Sequence, residues 1–370
     1  MKSLFFYGTL RHLPLLEIVL GRDASMIDAT PAVLGGFKVN AVAEGPFPMI
    51  AELSGAKASG LLVKGLSAQD VTRLDYYEGS FAYDLQRVTL SDGQEAEVYV
   101  PQAGRWTPDG PWSLEDWAAK SGQMSVIAAA EVMSYLGHQD RDAVAAMFPV
   151  IRARADAQVR AAHSLHSAEC FHGHVEIENR TRAYSKFYAM DDLVLRHERF
   201  DGTMSESLER AVLIDADAAL VMPYDPLRDR VLLVEQIRLG PIGRGDRAMW
   251  QLEPVAGRID PGEHPEEAAR REALEEAGLT LGGLEKIAEV YPSPGTSTGF
   301  YYLYLGLADL PDRSTGIGGL PEENEDIRSH LMSYDDLMAR VERFDVAGAP
   351  MVMAAYYLAR HRDRLRQGIA

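Results

Sequence analysis

Glu272, Glu275 and Glu276 lie within five residues of one another, and at spacings of three and four they share one face of a helix. Like charges so placed repel, and the neighbouring Arg271 offsets only part of that repulsion. Hard cations such as Mg²⁺ take carboxylate oxygens while keeping positions for water. Two such ions can clamp a phosphate and activate a water for attack on phosphorus. Taken alone, the three glutamates also suit a solvated acidic face. A second acidic run, Glu322, Glu323, Glu325 and Asp326, reads by itself as a solvated loop.

The element that must carry the first cluster is well marked. Pro265–Ala277 has proline in its first turn, an Ala/Glu/Arg-rich body and Gly278 at the position just past its end, which predicts a helix. Upstream, Ala218–Pro223 and Val231–Val234 are apolar β-rich runs separated by turn residues, hence neighbouring strands. Tyr301–Leu305 reads as a further strand, and Met351–Leu365 as a closing helix with basic residues near its end. In the first third, strands are expected at Leu4–Tyr7, Gly60–Lys64, Gln86–Leu90 and Glu95–Val100, with a helix at Ser67–Tyr76 and turns at Gly35-Gly36, Gly45-Pro46 and Asp92-Gly93. From Met124 to about Ala162 the composition shifts to Ala, Arg and Met, which predicts two helices broken near Gly137–Asp140 and strained at Pro149. They read as a connector or an appendage to the first domain.

The chain has 370 residues, 46% hydrophobic and 25% charged, an ordinary globular composition and enough for two domains. The division expected is a first domain over 1–120, a helical connector over 121–170 and a second domain over 171–370. A net charge of −18 argues against general nucleic-acid binding, which needs cations on phosphates. A single cysteine, Cys170, cannot form an intramolecular disulfide, and a reducing cytoplasm is the expected compartment. Arg11, His12 and Glu17 interrupt the apolar start, so no signal peptide is read. No apolar run approaches the ~20 residues needed to span a bilayer, so no membrane partner is expected.

The segment Gly257–Leu279 resembles the Nudix box, G-x5-E-x7-R-E-U-x-E-E-x-G-U, with Gly257, Glu263, Arg271, Glu272, Glu275, Glu276, Gly278 and Leu279 in register. Ala273 is small for the aliphatic position it fills. The likeness extends over about 174–370, through YPSPG and GLPEENEDIRSHL, and resembles the bacterial ADP-ribose pyrophosphatase branch. Pro294, sixteen residues after Gly278, matches that branch's marker. The resemblance implies a Nudix α/β/α sandwich with a mixed sheet, an N-terminal β extension and a homodimer. It implies Mg²⁺, with Mn²⁺ as an alternative, held by the Ala256 carbonyl with Glu272, Glu276 and Glu325, and Glu275 as an auxiliary carboxylate. It further implies Arg271 orienting the helix carboxylates, Glu323 as the base, Arg238 on the diphosphate and Arg210 at the nucleotide end. The substrate would be ADP-ribose or a related nucleoside diphosphate sugar. Some relatives carry a glutamate soon after the SPG turn, where this chain has Thr298-Gly299; a base supplied from that turn would be missing here.

At the other end, the YGTL run Tyr7, Gly8, Thr9 and Leu10 ends a strand in a turn whose amides could bind a carboxylate. With PFPMI at Pro46–Ile50 and LDYYEG at Leu74–Gly79, residues 1–120 resemble the γ-glutamylcyclotransferase-like (AIG2-like) family, a small mixed α/β barrel. The overall class is therefore α+β in two domains. The resemblance implies a γ-glutamyl substrate anchored by Tyr7–Leu10 and a proton shuttled by Glu78, releasing 5-oxoproline. Members often continue with a glycine and an Asn-His-like pair, where this chain runs RHLPLLEIVLG. That leaves the substrate open, and a non-catalytic metabolite-binding regulator remains the alternative. Finally, His163, His166, Cys170, His172 and His174 cluster within twelve residues; their spacing matches no closed zinc or copper motif.

Overall fold

The computed structural model describes residues 1–78, 83–163, 173–320 and 325–367. The chain divides into two compact units, Met1–His166 and Ser167–Ala370, and the fold is α+β in both.

In the first unit, β1 (Lys2–Phe6), β2 (Asp28–Val42), β3 (Gly45–Leu66), β4 (Tyr83–Thr89), β5 (Glu95–Pro101) and β6 (Pro108–Pro111) form one sheet of order β4-β5-β1-β3-β2-β6. The β1–β5 pair is parallel and the other pairs are antiparallel. The sheet curls enough for Ser91 N–H, just past β4, to donate to the Val33 carbonyl in β2 at 2.9 Å. Alternation along β1 sorts two cores: Phe5 and Tyr7 face Leu34, Ile50, Leu62 and Val98 inside the curl, while Leu4 and Phe6 face the helices. Gly60 permits the curl, since a Cβ there would sit 2.3 Å from the Phe5 ring. The turn expected at Gly35-Gly36 is instead a bulge within the 15-residue β2: the pairing register shifts between Gly35 and Phe37, and Gly36 takes a φ of 81° that glycine tolerates.

The helices of this unit are α1 (Leu13–Leu20), α2 (Ala68–Glu78), α3 (Leu114–Trp117), α4 (Gln123–Ser134) and α5 (Arg141–His163), with a π-helical turn at Ala118–Gly122 joining α3 to α4. Met124, Ala128 and Val132 of α4 and Val144, Ile151 and Ala155 of α5 are buried with Leu4, Leu16 and Leu74. These two helices therefore help build the first unit's core. A buried ion pair joins Arg154 of α5 to Glu131 of α4.

In the second unit, β7 (Val175–Ser185), β8 (Ala189–His197) and β9 (Leu208–Ile214) make a separate antiparallel sheet. The main sheet comprises β10 (Ala218–Asp225), β11 (Arg230–Ile237), β12 (Trp250–Glu253), β13 (Val255–Arg258), β14 (Leu284–Val290), β15 (Tyr301–Leu307), β16 (Ile317–Gly318) and β17 (Ile327–Ser333). Its order is β14-β15-β10-β11-β17-β16, with β12 on β11 and β13 on β10, and it is mixed because β10 and β15 run parallel. The remaining helices are α6 (Leu239–Arg244), α7 (Pro265–Ala277), α8 (Tyr334–Glu342) and α9 (Ala349–Gln367). Residues 218–224 and 231–234 are apolar because both faces of the sheet are covered there. Val221, Leu232 and Val234 meet Ala268, Ala269 and Ala273 of α7 on one face. Leu220, Met222 and Leu233 meet Leu337 of α8 and Ala354 and Leu358 of α9 on the other. The result is an α/β/α sandwich. No helix among the described residues is long and apolar enough to cross a membrane.

Candidate functional site

Helix α7 begins as its sequence dictates: Pro265 stands in the first turn, and His264 and Glu267 cap the free amides reciprocally. It ends at Gly278, whose φ of 63° lets the amide turn back to the Leu274 carbonyl. Alanines on one face bury against the sheet, which turns the glutamate face toward β13. Glu276 is 2% exposed and accepts a hydrogen bond from the Ala256 amide at 3.2 Å.

Glu272 meets the same strand one residue on. A Cβ on Gly257 would stand 1.9 Å from Glu272 Oε1, so the glycine makes room for a carboxylate. Arg271 ties the face together. It pairs with Glu263 through Nε and Nη2 at 3.0 and 2.9 Å, with Glu272 at 2.6 Å and Glu275 at 3.0 Å, and donates to the Arg258 carbonyl at 3.0 Å.

The electrostatics follow from this burial. Burial raises the Glu276 carboxyl to about 8, opposed by the Ala256 hydrogen bond and reinforced by the charges of Glu272 and Glu325. Burial likewise raises Glu272 to about 7, although Arg271 opposes it; Glu275 and Glu325 push it further up. Glu325 reaches this neighbourhood because β16 lies against the end of α7. A Cβ on Gly318 would lie 2.1 Å from the Glu276 carbonyl, and Glu325 accepts from the Leu320 amide at 3.1 Å. The Glu325 charge raises the proton affinity of both Glu272 and Glu276, and carboxylates gathered in this way suit a hard divalent cation. With Glu272 drawn to Arg271 and Glu276 to Ala256, no three His, Cys, Asp or Glu among the described residues converge tightly enough to hold a metal as they stand.

The first unit holds a cavity of about 370 Å³. The Tyr7–Leu10 turn, Glu78 at the end of α2, Tyr83 and the Phe47–Trp106 pair all line it. The Tyr83 hydroxyl donates to the Pro48 carbonyl at 3.0 Å and so helps fix its floor, beside the buried Tyr7. Burial raises the Glu78 carboxyl to about 7. Gly8 is packed closely, since a Cβ there would meet Pro48 Cγ at 2.9 Å.

Comparison with known proteins separates the two units in the same way. A family model described as NUDIX domain matches residues 215–354. The ADP-ribose pyrophosphatase of Escherichia coli (strain K12) is 38% identical over 192 residues, 52% of this chain and 91% of that protein. The chain belongs to the Nudix family. Ahead of its Nudix half it carries an AIG2-like domain: the model described as gamma-glutamyl cyclotransferase, AIG2-like, matches residues 4–119. Two more relatives align with the Nudix half. The ADP-ribose pyrophosphatase of Haemophilus influenzae is 38% identical over 44% of this chain and 75% of its own length. The GDP-mannose pyrophosphatase of Cronobacter sakazakii is 28% identical over 47% and 91%. A solved structure of an ADP compounds hydrolase superposes with a TM-score of 0.42 at 20% identity, over 52% of this chain and 96% of that one.

Within the Nudix half, the box residues Arg271, Glu272, Glu275 and Glu276 come together with Ala256 and the Glu325 loop. Arg238, just past β11, pairs with Glu253 at 2.7 Å, and its charge acts on Glu276. Arg210 is exposed on β9, where it donates to the Glu209 carbonyl, and Pro294 is exposed in its turn. Glu323 lies outside the described residues, as do His166, Cys170 and His172. His163 contacts Gln123 and His174 contacts Glu176. Sequence reasoning missed Gly318, whose close approach seats the Glu325 loop, and the cavity wall supplied by α5. A glycine in a two-residue strand carries no local mark of what it touches.

Proposed function

We propose that the Nudix half is a Mg²⁺-dependent hydrolase of ADP-ribose. The observation that carries this reading is the pair Glu272 and Glu276, the first half-buried and the second buried, side by side against Ala256 and Gly257 with raised proton affinity. The identity of the E. coli and H. influenzae ADP-ribose pyrophosphatases supports the substrate over a GDP-sugar. A water oxygen bonds to one phosphorus, the bridging P–O bond breaks, and AMP and ribose 5-phosphate leave. Glu272, Glu276, Glu325 and the Ala256 carbonyl would hold the cation, which when bound supplies positive charge to the diphosphate oxygens and acidifies water. Arg271 keeps the glutamates in place, and Glu275 buffers that ion pair. Arg238 exchanges Glu253 for a phosphate oxygen, Arg210 meets the nucleotide end, and Glu323 takes the proton of the attacking water. The test is AMP release from ADP-ribose with Mg²⁺, expected well above that from GDP-mannose; no AMP above a Glu272→Gln control sinks the reading.

A second reading concerns the AIG2-like domain, favoured by the half-buried Glu78 in the cavity beside the Tyr7–Leu10 turn. The turn amides of Gly8, Thr9 and Leu10 would receive a carboxylate, and Tyr7 would hold the substrate against the floor. The α-amine of a γ-glutamyl compound bonds to its own γ-carbonyl carbon, the amide C–N bond breaks, and 5-oxoproline and an amine leave. Glu78 takes the proton of the attacking amine and passes it to the departing nitrogen. Its carboxylate form is needed first, so turnover should fall as pH drops below about 7, where the acid regains its proton. Glu78→Gln is expected to lower 5-oxoproline release by about 10²-fold or more. Unchanged release in that variant removes Glu78 from the reaction.

A further inference from the structure

One wall of the cavity in the first unit comes from beyond the AIG2-like match, which ends at residue 119. Ala145, Phe148, Pro149 and Arg152 of α5 line it, with Ser125 of α4. The four α5 positions recur at i, i+3, i+4 and i+7, one face of a helix. Val144, Ile151 and Ala155 on another side of α5 are buried in the core, so this wall is held rigidly.

The wall is polar as well as apolar. Pro149 has no N–H and leaves the Ala145 carbonyl without its helical donor, and both residues line the cavity. One turn on, the half-buried Arg152 brings a guanidinium to the same space, close enough for its charge to act on the Tyr77 phenol next to Glu78.

We infer that α5 supplies a specificity-determining residue for the first domain, Arg152, which receives a carboxylate carried by the leaving amine of a γ-glutamyl compound. The inference rests on the cyclotransfer reading. Two anion receivers then line one cavity: the Tyr7–Leu10 turn takes the carboxylate of the γ-glutamyl head, and Arg152 takes that of the amine. Phe47, Trp106 and Phe148 add an aromatic wall to the same cavity. A planar guanidinium binds a carboxylate through paired hydrogen bonds, and the loss of such a contact typically weakens binding by roughly 10–100-fold. A neutral amine would have nothing to offer Arg152.

The intact chain is to be assayed with γ-glutamylalanine and with γ-glutamylmethylamide, which differ in the carboxylate on the leaving amine. Wild type is expected to favour γ-glutamylalanine in kcat/KM by about 10-fold or more. Arg152→Gln should raise KM for γ-glutamylalanine by that factor with kcat little changed, leave methylamide turnover alone and so report an intact fold; Arg152→Lys should restore part of the preference. Equal use of both substrates by wild type, or a preference that survives in Arg152→Gln, overturns the inference. If neither compound is cyclised, the cyclotransfer reading has failed by itself, and calorimetry with γ-glutamylalanine decides. Binding that weakens about 10-fold in Arg152→Gln upholds the role of Arg152. No binding, or binding indifferent to the substitution, ends it.

Discussion

Glu276→Gln should cost the Nudix half roughly 10³-fold in ADP-ribose hydrolysis and, with metal chelated, make that half harder to melt. Both effects have one origin. Glu276 is 2% exposed and its carboxyl is raised to about 8 by burial, so the folded chain holds the charged form at a cost that an unfolded chain avoids. For a carboxyl whose folded pKa is raised, the contribution to stability is fully present below the unfolded value near 4.5 and is lost as pH rises through about 8. The neutral amide keeps the shape and can still meet the Ala256 amide through its oxygen, without that loss. At pH 8.5 in chelator the variant is expected to melt about 3–8 °C above wild type, with a smaller gap at pH 5.5. A divalent cation should raise the wild-type melting temperature at pH 8.5 and leave the variant where it was. A variant that melts lower than wild type under chelation at high pH would show that the carboxylate is at ease where it sits.

Gly257→Ala is the second substitution with a large expected effect, and its cause is steric. Gly257 has no positive φ and pairs with Ala219 inside the sheet, so alanine meets no backbone strain. Its methyl would meet Glu272 Oε1 at 1.9 Å. The strand cannot retreat, because β13 is paired with β10 over Val255–Arg258. Glu272 must therefore swing away, taking a donor from the glutamate set and loosening its contact with Arg271. Displacing a reacting group by about 1 Å commonly costs about 10²-fold, and a loss of at least that size in kcat is expected, with the midpoint for Mg²⁺ moved to higher concentration. Activity within threefold of wild type would place the working position of Glu272 away from Gly257.

The parts of this molecule that were legible beforehand are those whose signals are local. Proline, the alanine-rich face and Gly278 set both ends of α7, and the box spacing put its glutamates on one face. Val231–Val234 and Ala218–Pro223 read as strands because burial on both sides leaves only apolar residues. The β7–β9 sheet gave no comparable strand signal: nearly every residue of β7 is exposed, so no buried face imposes an alternation. Gly35-Gly36 looked like a turn because two glycines permit one; the long pairing of β2 with β3 used them for a bulge instead. Contacts that join distant segments were silent. Nothing near Gly318 announces the Glu276 carbonyl, and nothing beside Pro149 announces the cavity it lines with Ala145 and Arg152.

The placement of Met124, Ala128, Val132, Val144, Ile151 and Ala155 among the first unit's interior residues has a practical side. The match to the AIG2-like family model runs to residue 119, yet a protein chemist who cut there would strip away the lid of an oil-filled box. The severed piece would present bare leucines and phenylalanine to water and would cling to its neighbours in the tube. Anyone wishing to handle the front half alone should keep the chain through His163.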